Sequence, residues 1–178
     1  MVNVTTDTQN TSAVEWGIKA QTGVLTDVLL GRPDHFRWVS LNSISAVTLA
    51  NQEQLGLHFD SQKAMQQHQR MVEMYEANGV RCHFVDANEG LPSSVFTRDS
   101  SFMTPWGAVI TSIQTPPRRQ DYSVASDFYR NAGIPIWKWV TANHFEGGDF
   151  AIIKPGVSML GWSGDRSTKE GAEQVAGW

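Results

Sequence analysis

The sequence predicts an α/β fold made of repeated ββαβ units. The segments YEANGV at 75–80 and YRNAGI at 129–134 each end a helical pattern in the same way, and they are 54 residues apart. A pair of short apolar runs precedes the second helical pattern, and a similar pair returns near the end of the chain. Units of this kind bury their apolar faces against their neighbours, as in other repeat proteins.

The first unit contains a strand, a helix and a second strand. TDVLLGRPDHF (26–36) predicts a strand closed by glycine and proline. No secondary structure is predicted for 37–58. A helix is predicted from Ser61 to Asn78, with Asp60 or Ser61 as N-cap and Gly79 in the left-handed position beyond its end. VRCHFVDA (80–87) predicts the next strand. The expected apolar face of the helix is formed by Ala64, Met65, His68, Met71, Val72 and Tyr75.

The sequence of the second unit predicts all four elements, and the sequence of the third predicts the first three. The second has strands VFTRDSSFMT (95–104) and AVITSI (108–113), a helix from Gln120 to Ala132, and a strand IPIWKWV (134–140). The third has the strand pair of 149–163 and a helix from Ser167 toward Trp178. One further period would place the next helix-ending glycine near 187, beyond Trp178. We therefore expect this chain to hold about half of a larger repeat architecture.

The composition is that of a globular protein and limits its partners. The net charge of −4 gives no electrostatic reason to bind nucleic acid or an anionic membrane. Residues 1–17 are polar and lack the pattern of a signal peptide, so we expect a loose arm, a domain over 18–178 and a cytoplasmic location. Cys82 is the only cysteine, which excludes an intramolecular disulfide, and its apolar surroundings favour a buried thiol over a nucleophile.

Charged side chains interrupt the apolar runs where two of the units begin. Arg98 and Asp99 lie within VFTRDSSF, and Glu146 and Asp149 flank the glycine pair of HFEGGDFAI. Taken alone, these are an ion pair at a strand end and a solvated turn. In a repeat with rotational pseudosymmetry, however, equivalent strand ends converge on one axis. The carboxylates of Asp99 and Glu146 are then expected to share a cavity, where clustered acceptors suit a planar guanidinium cation.

Arginines in two other segments offer a complementary site for an anion. Arg118 and Arg119 lie in PPRRQD (116–121), and Arg166 lies in GDRST. A guanidinium binds a carboxylate through two parallel N–H groups, so these arginines can hold the other end of a ligand. Solvation at the surface is the plain alternative for each of them.

Four motifs occur in an order that resembles the guanidino-group-modifying enzymes, and most of all the arginine deiminases. They are FTRD at 96–99, PPRRQD at 116–121, HFEGGD at 144–149 and LGWSGDRST at 160–168, and LLGRPD near the start resembles the first strand of that family. The resemblance covers roughly residues 24–178. It implies the pentein fold, a five-bladed ring of ββαβ modules around a substrate channel. This chain would then be the N-terminal portion, with about two and a half to three modules.

The resemblance also implies a role for each matching side chain. Asp99 matches the aspartate that grips the substrate guanidinium, and Glu146 matches the glutamate that orients the catalytic histidine and the guanidinium. Phe96 would pack beside the guanidinium plane. Arg118 and Arg166 match the arginines that bind the α-carboxylate of arginine. No cofactor and no metal ion belong to the implied chemistry.

Two departures from the family pattern limit what is expected of this chain. Ser93 stands where many arginine deiminases have an asparagine. The nucleophilic cysteine, which forms a thiouronium intermediate, and the acid/base histidine have no counterpart here, since Cys82 precedes FTRD and His144 precedes EGGD. We therefore expect the chain to be inactive alone. Arg98 is expected to be structural, and Asp149 to hold its turn.

The leading interpretation is the N-terminal portion of a hydrolase acting on the guanidino group of arginine or an analogue. An amidinotransferase and a methylarginine hydrolase use the same intermediate and stay open as alternatives, as does a protein that binds an arginine-like ligand without turnover. A metal hydrolase using His144, Glu146 and Asp149 is a further alternative. A homo-oligomer or the missing C-terminal half is expected to cover the open edge of the last unit.

Overall fold

The computed structural model describes residues 16–39, 43–56 and 58–178, and short strands alternate with helices along them. The predicted arm at 1–17 therefore lies almost wholly outside the described residues. The strands are β1 (Asp27–Leu30), β2 (Arg81–Phe84), β3 (Ser101–Thr104), β4 (Gly107–Ile110), β5 (Ile136–Trp139), β6 (Phe150–Lys154) and β7 (Val157–Leu160). The helices are α1 (Ser43–Gln54), α2 (Ser61–Ala77), α3 (Thr97–Ser100), α4 (Tyr122–Asn131) and α5 (Lys169–Ala176).

The central sheet has the strand order β3-β4-β5 and forms the middle of the molecule. β3 and β4 are antiparallel, whereas β4 and β5 are parallel and are joined through α4. Every residue of β4 is buried. Ala108 and Ile110 pack against Ala125 and Tyr129 of α4, while Val109 points into a second cluster on the opposite face. This arrangement is the ββαβ unit that the sequence predicts for the second repeat.

Two smaller sheets flank the central one. β1 and β2 are parallel and are connected through α2, and β6 and β7 form an antiparallel hairpin that precedes α5. Phe150 and Ile152 of the hairpin and Val175 of α5 pack with Val109 of the central sheet. The hairpin and α5 thus cover the sheet face that α4 leaves free.

Helices α2 and α4 end in the same way, as the repeat in the sequence predicts. The tyrosine carbonyl accepts a hydrogen bond from the N–H five residues later, at 3.0 Å for Tyr75 and 2.9 Å for Tyr129. Gly79 and Gly133 follow with φ of +77° and +68°, in the region that favours glycine. At the other end of α2, the Asp60 carboxylate accepts from a backbone N–H and caps the helix. Each ending turns the chain back into a parallel strand.

One predicted strand begins later than the sequence pattern indicated. The segment predicted as a strand over 95–104 begins instead with the helical turn α3, and the strand starts at Ser101. In that turn the Asp99 N–H bonds the Phe96 carbonyl, and Ser100 Oγ bonds the Thr97 carbonyl. Short polar side chains favour such local bonds over a strand ladder. The strand predicted within 26–36 ends at Leu30, just before the Gly31 and Pro33 that were expected to close it, and Pro33 starts a 3₁₀ turn.

The helical face predicted for α2 is only partly buried. Val72 is buried, but Met71, which the pattern placed on the same face, is exposed. The reason is that α2 packs beside a sheet of two strands, which offers a narrow apolar surface. In the stretch left open by the sequence, α1 occupies most of 43–56. Within the described part of the chain, no helix has the length and apolar character needed to cross a membrane.

Candidate functional site

Two tight turns meet at backbone distance and carry the two predicted acidic residues. Asp99 lies on α3, immediately before β3, and Glu146 opens the 3₁₀ turn Gly147–Asp149 before β6. A Cβ atom on Gly147 would collide with the carbonyl oxygens of Arg98 and Ser101, lying 2.6 Å from the latter. Glycine at 147 therefore lets the turns approach each other, which explains its place beside Glu146.

The side chains from these turns form one charged cluster with two arginines. Arg118 Nη1 lies 2.9 Å from Asp99 Oδ2. Arg166 Nη2 lies 2.8 Å from Glu146 Oε2 and 3.4 Å from the same Asp99 oxygen. One guanidinium thus touches both carboxylates, so Asp99 and Glu146 are close enough to bind a single small cation.

Arg118 is the buried arginine of the cluster and is held on three sides. It ends the 3₁₀ turn Pro116–Arg118, and only 8% of its side chain is exposed. Its Nε donates to Asp121 Oδ2 at 3.0 Å, in addition to the bond to Asp99. Its Cζ lies 5.3 Å from the centroid of the Phe96 ring. Burial acts to lower the pKa of Arg118, but the two carboxylates outweigh it and raise that pKa.

Three buried polar atoms of the cluster have no hydrogen-bond partner in the portion of the chain that the structure describes. They are Glu146 Oε1, Arg118 Nη2 and Asp121 Oδ1. A buried polar group without a partner destabilises the folded protein by about 1–3 kcal/mol. The cluster therefore has two acceptors and one donor that make no hydrogen bond.

The two most buried carboxyl groups of the cluster have raised pKa values. Burial raises the pKa of Glu146, with a further increase from the charge of Asp99, and Arg166 opposes this only in part. Burial likewise raises the pKa of Asp121 against the effect of Arg118. Both groups hold their protons to higher pH than an exposed carboxyl does.

Ser167 ties the loop that carries Arg166 to the turn that carries Glu146. Its Oγ accepts from the Glu146 N–H at 2.9 Å and donates to Asp149 Oδ2 at 2.5 Å. Thr168 caps α5 and donates its N–H to the carbonyl preceding this turn. The main-chain carbonyl of Asp149 also accepts from the Gly161 N–H, in the loop after β7. This network places Arg166 beside the turn, and Asp149 serves the turn rather than the cluster.

Other residues singled out in the sequence have separate partners. Arg98 turns away from Asp99 and donates to the Phe150 carbonyl. His144 Nδ1 lies 3.2 Å from Ser112 Oγ. Among the described residues, no group of three or more histidine, cysteine or acidic side chains is arranged to hold a metal ion. The proposed metal ligands His144, Glu146 and Asp149 instead contact a hydroxyl, a guanidinium and a second hydroxyl.

Cys82 lies on β2, in register with Val28 of β1. It is half-buried, and burial raises the pKa of its thiol. A cysteine nucleophile needs the opposite shift, because the thiolate is the reactive form. The structure therefore supports a packing role for this thiol.

The two arginines predicted to bind the carboxylate end of a ligand lie beside the acidic residues. The sequence places Arg118 and Arg166 at the far end of a ligand, and in the structure both contact Asp99. Opposite charges pair in this way because an unpaired charge in the interior is unfavourable. Sequence reasoning also missed Asp121 and Ser167. The signal for Asp121 was its position three residues after Arg118 in PPRRQD.

The family model for arginine deiminase matches residues 4–177. This chain belongs to the arginine deiminase family. The uncharacterized protein YkgA of Bacillus subtilis is 29% identical over 145 residues, which are 82% of this chain and 48% of that protein. The arginine deiminase of Rhodococcus erythropolis is 36% identical over 92 residues, or 48% of this chain and 22% of that enzyme. The chain thus spans less than half the length of either relative.

Solved structures share the fold of this family member. Dimethylarginine dimethylaminohydrolase from Pseudomonas aeruginosa, as a variant complexed with citrulline, matches with a TM-score of 0.64 and 22% identity over 86% of this chain and 56% of that one. The N-terminal domain of ArgZ, a cyanobacterial arginine dihydrolase bound to its substrate, gives 0.63 and 15% over 85% and 54%. These matches confirm the predicted α/β fold, and the family match confirms the resemblance to arginine deiminases.

Proposed function

We propose that this chain binds the guanidinium group of arginine, or of a close analogue, as the substrate-binding portion of a guanidino-group hydrolase. The observation that carries the proposal is the contact of Asp99 and Glu146 with one and the same guanidinium, that of Arg166. A ligand guanidinium has the same planar arrangement of N–H donors and meets the same acceptors.

The surrounding side chains support a defined orientation of such a ligand. Asp99 and Glu146 accept N–H groups of the guanidinium, and the unpartnered Glu146 Oε1 adds a third acceptor. Arg118 has an unpartnered Nη2 that can donate to a ligand carboxylate, and Arg166 can donate beside it once it leaves the acidic pair. Phe96 packs against the face of Arg118 and keeps its plane fixed. Holding both ends of arginine would fix the guanidinium carbon for attack.

Substitution of Asp99 by the isosteric asparagine tests the proposal. Asp99→Asn removes the charge that faces the ligand, and we expect arginine binding measured by calorimetry to weaken at least about 30-fold. Asp127→Asn is the matched control, since Asp127 forms an exposed ion pair with Arg130 on α4. Equal arginine affinity of the Asp99 variant and the wild type would count against the assignment.

We propose that the chain binds without hydrolysing on its own. Its one cysteine, Cys82, has a raised thiol pKa and lies on β2, whereas the chemistry of the family proceeds through a cysteine thiolate. Incubation with arginine is expected to release no citrulline. Citrulline formation that persists in Cys82→Ser would show that another group acts as the nucleophile, and formation that the substitution abolishes would assign that role to Cys82.

We further infer that residues 18–178 form part of a pentein domain, with about two and a half to three of five modules. The three-stranded central sheet with α4 is one full ββαβ unit, and the β6–β7 hairpin followed by α5 has the first three elements of another. In the central unit β5 pairs with β4, while Val157 and Met159 on the corresponding strand β7 are exposed. These features support a further segment or a second copy covering that edge.

A further inference from the structure

Arg166 occupies the position in which the proposed function places the guanidinium of the ligand. Its Nη2 lies 2.8 Å from Glu146 Oε2 and 3.4 Å from Asp99 Oδ2, the two carboxylates assigned to substrate. Both of those side chains are largely buried, with 3% and 18% exposed, whereas 54% of the Arg166 side chain is exposed. The carboxylates are therefore fixed in the protein, and the arginine reaches them from the solvent side.

The two arginines of the cluster differ in their ability to leave it. Arg118 is buried and bonded to Asp99 and Asp121. Removing its charge from these partners would leave ions unpaired in the interior, which is strongly unfavourable. The Arg166 guanidinium is half in water, so it can exchange its protein partners for solvent more readily than the buried Arg118 guanidinium can. Arg166 is thus the member that a ligand can displace.

Displacement has a consequence for which ligands bind well. A ligand that carries only a guanidinium takes the place of Arg166 and leaves that arginine without an anionic partner. A ligand that also carries a carboxylate replaces both interactions, because its carboxylate can pair with the displaced Arg166. The unpartnered Arg118 Nη2 provides a second donor for the same carboxylate.

We propose that Arg166 is an internal competitor that makes the site select ligands carrying both a guanidinium and a carboxylate. The inference rests on the proposed function and adds a specificity-determining residue to it. Arg166 has two opposite effects, since it opposes binding of a bare guanidinium and supports binding of arginine. An arginine that only bound the carboxylate would have the second effect alone.

The test compares arginine with n-butylguanidine, which keeps the guanidinium and the carbon chain and lacks the carboxylate and the amine. Dissociation constants are measured by NMR titration of the wild type and of Arg166→Gln. We expect the substitution to weaken arginine binding by roughly 10-fold or more and to strengthen butylguanidine binding by up to about 5-fold. Arg119→Gln is the control, since Arg119 is exposed, bonds the Gln114 carbonyl and loses the same charge.

The inference requires that Arg166→Gln changes the affinities for the two ligands in opposite directions. Butylguanidine affinity that falls or stays constant in Arg166→Gln overturns the inference, and so does an equal gain in Arg119→Gln, which would reflect net charge alone.

A second measurement needs no ligand. Side-chain nitrogen NMR of the free protein is expected to show restricted rotation of the Arg166 guanidinium, and free rotation would overturn the inference while leaving the proposed function standing. Failure of the wild type to bind either ligand would instead overturn the proposed function, and the inference with it.

Discussion

Asp99 has an arginine on each side, and the two sides are built differently. On one side Arg118 is buried, bonded to a second carboxylate from Asp121 and covered by the Phe96 ring. On the other side Arg166 comes from the loop after β7 and is half exposed. Charge interactions are stronger and less screened where water is excluded. Arg118, together with Asp121 and Phe96, therefore forms what we call the framework side of the site. Arg166 forms the side that we call exchangeable.

The largest expected effect would come from weakening the framework side. Asp121→Ala leaves the buried Arg118 charge with a single carboxylate, and we expect the free energy of unfolding to fall by about 3 kcal/mol in urea denaturation. Asp127→Ala is the matched control on α4, where an exposed pair with Arg130 is lost, and it should change stability by less than about 1 kcal/mol. Similar losses in both variants would remove the distinction between a framework arginine and a surface one.

The pH dependence of stability tests the exchangeable side. The folded protein holds the proton of Glu146 above its usual pKa of 4.5, chiefly because the group is buried. Through Glu146 the folded state binds more protons than the unfolded chain in this window, and this contribution to stability falls as the pH rises through it, by at most about 1.4 kcal/mol per pH unit. Asp121, whose pKa is also raised, contributes in the same direction. Glu146→Gln should therefore reduce the slope in urea unfolding measured from pH 4 upward without abolishing it.

The control for that experiment is Glu173→Gln, since Glu173 forms an exposed pair with Lys169 on α5. Its profile should follow that of the wild type. A wild-type protein that loses stability on acidification relative to Glu146→Gln would mean that Arg166 lowers the pKa of Glu146 below its usual value. The Arg166 side would then be held as firmly as the Arg118 side.

The smallest expected effect sharpens the description of the framework side. Phe96→Leu removes the aromatic face that lies over Arg118, and we expect a loss of about 0.5–1 kcal/mol in the free energy of unfolding. Phe59→Leu is the control, because Phe59 and Phe96 both make an edge contact with Phe36. Among the described contacts, Phe59 has none with Arg118. Equal losses would assign the effect of Phe96 to aromatic packing rather than to the cation.

Much of the fold could be predicted because local and tertiary signals agree there. In α4 the apolar spacing, the helix-ending Gly133 and the β-branched residue after it indicate the same helix and strand that the structure contains. At Thr97–Ser100 the signals disagree. Apolar residues on both sides favoured a strand, while short polar side chains bond within a single turn. The apolar periodicity of the sequence carries no information about these local hydrogen bonds.

The sequence predicted which side chains belong to the site, but not which of them pair with each other. The motifs identified Asp99, Glu146, Phe96, Arg118 and Arg166, and the structure brings these five side chains together. Their roles toward a ligand stay predictions. Asp121 was missed because an aspartate at the start of a helix usually caps it. Here the carboxylate makes no capping bond and turns to Arg118 instead. That choice depends on a buried partner, which sequence spacing does not reveal.

The close approach at Gly147 fixes the width of the site by main chain rather than by side chains. The turns bearing Asp99 and Glu146 are in contact through backbone atoms, so neither can move toward the other to make up for a shorter side chain. A shorter acid at position 146 would therefore leave its carboxylate farther from Arg166. The main-chain contact thus sets the least separation of the two acids.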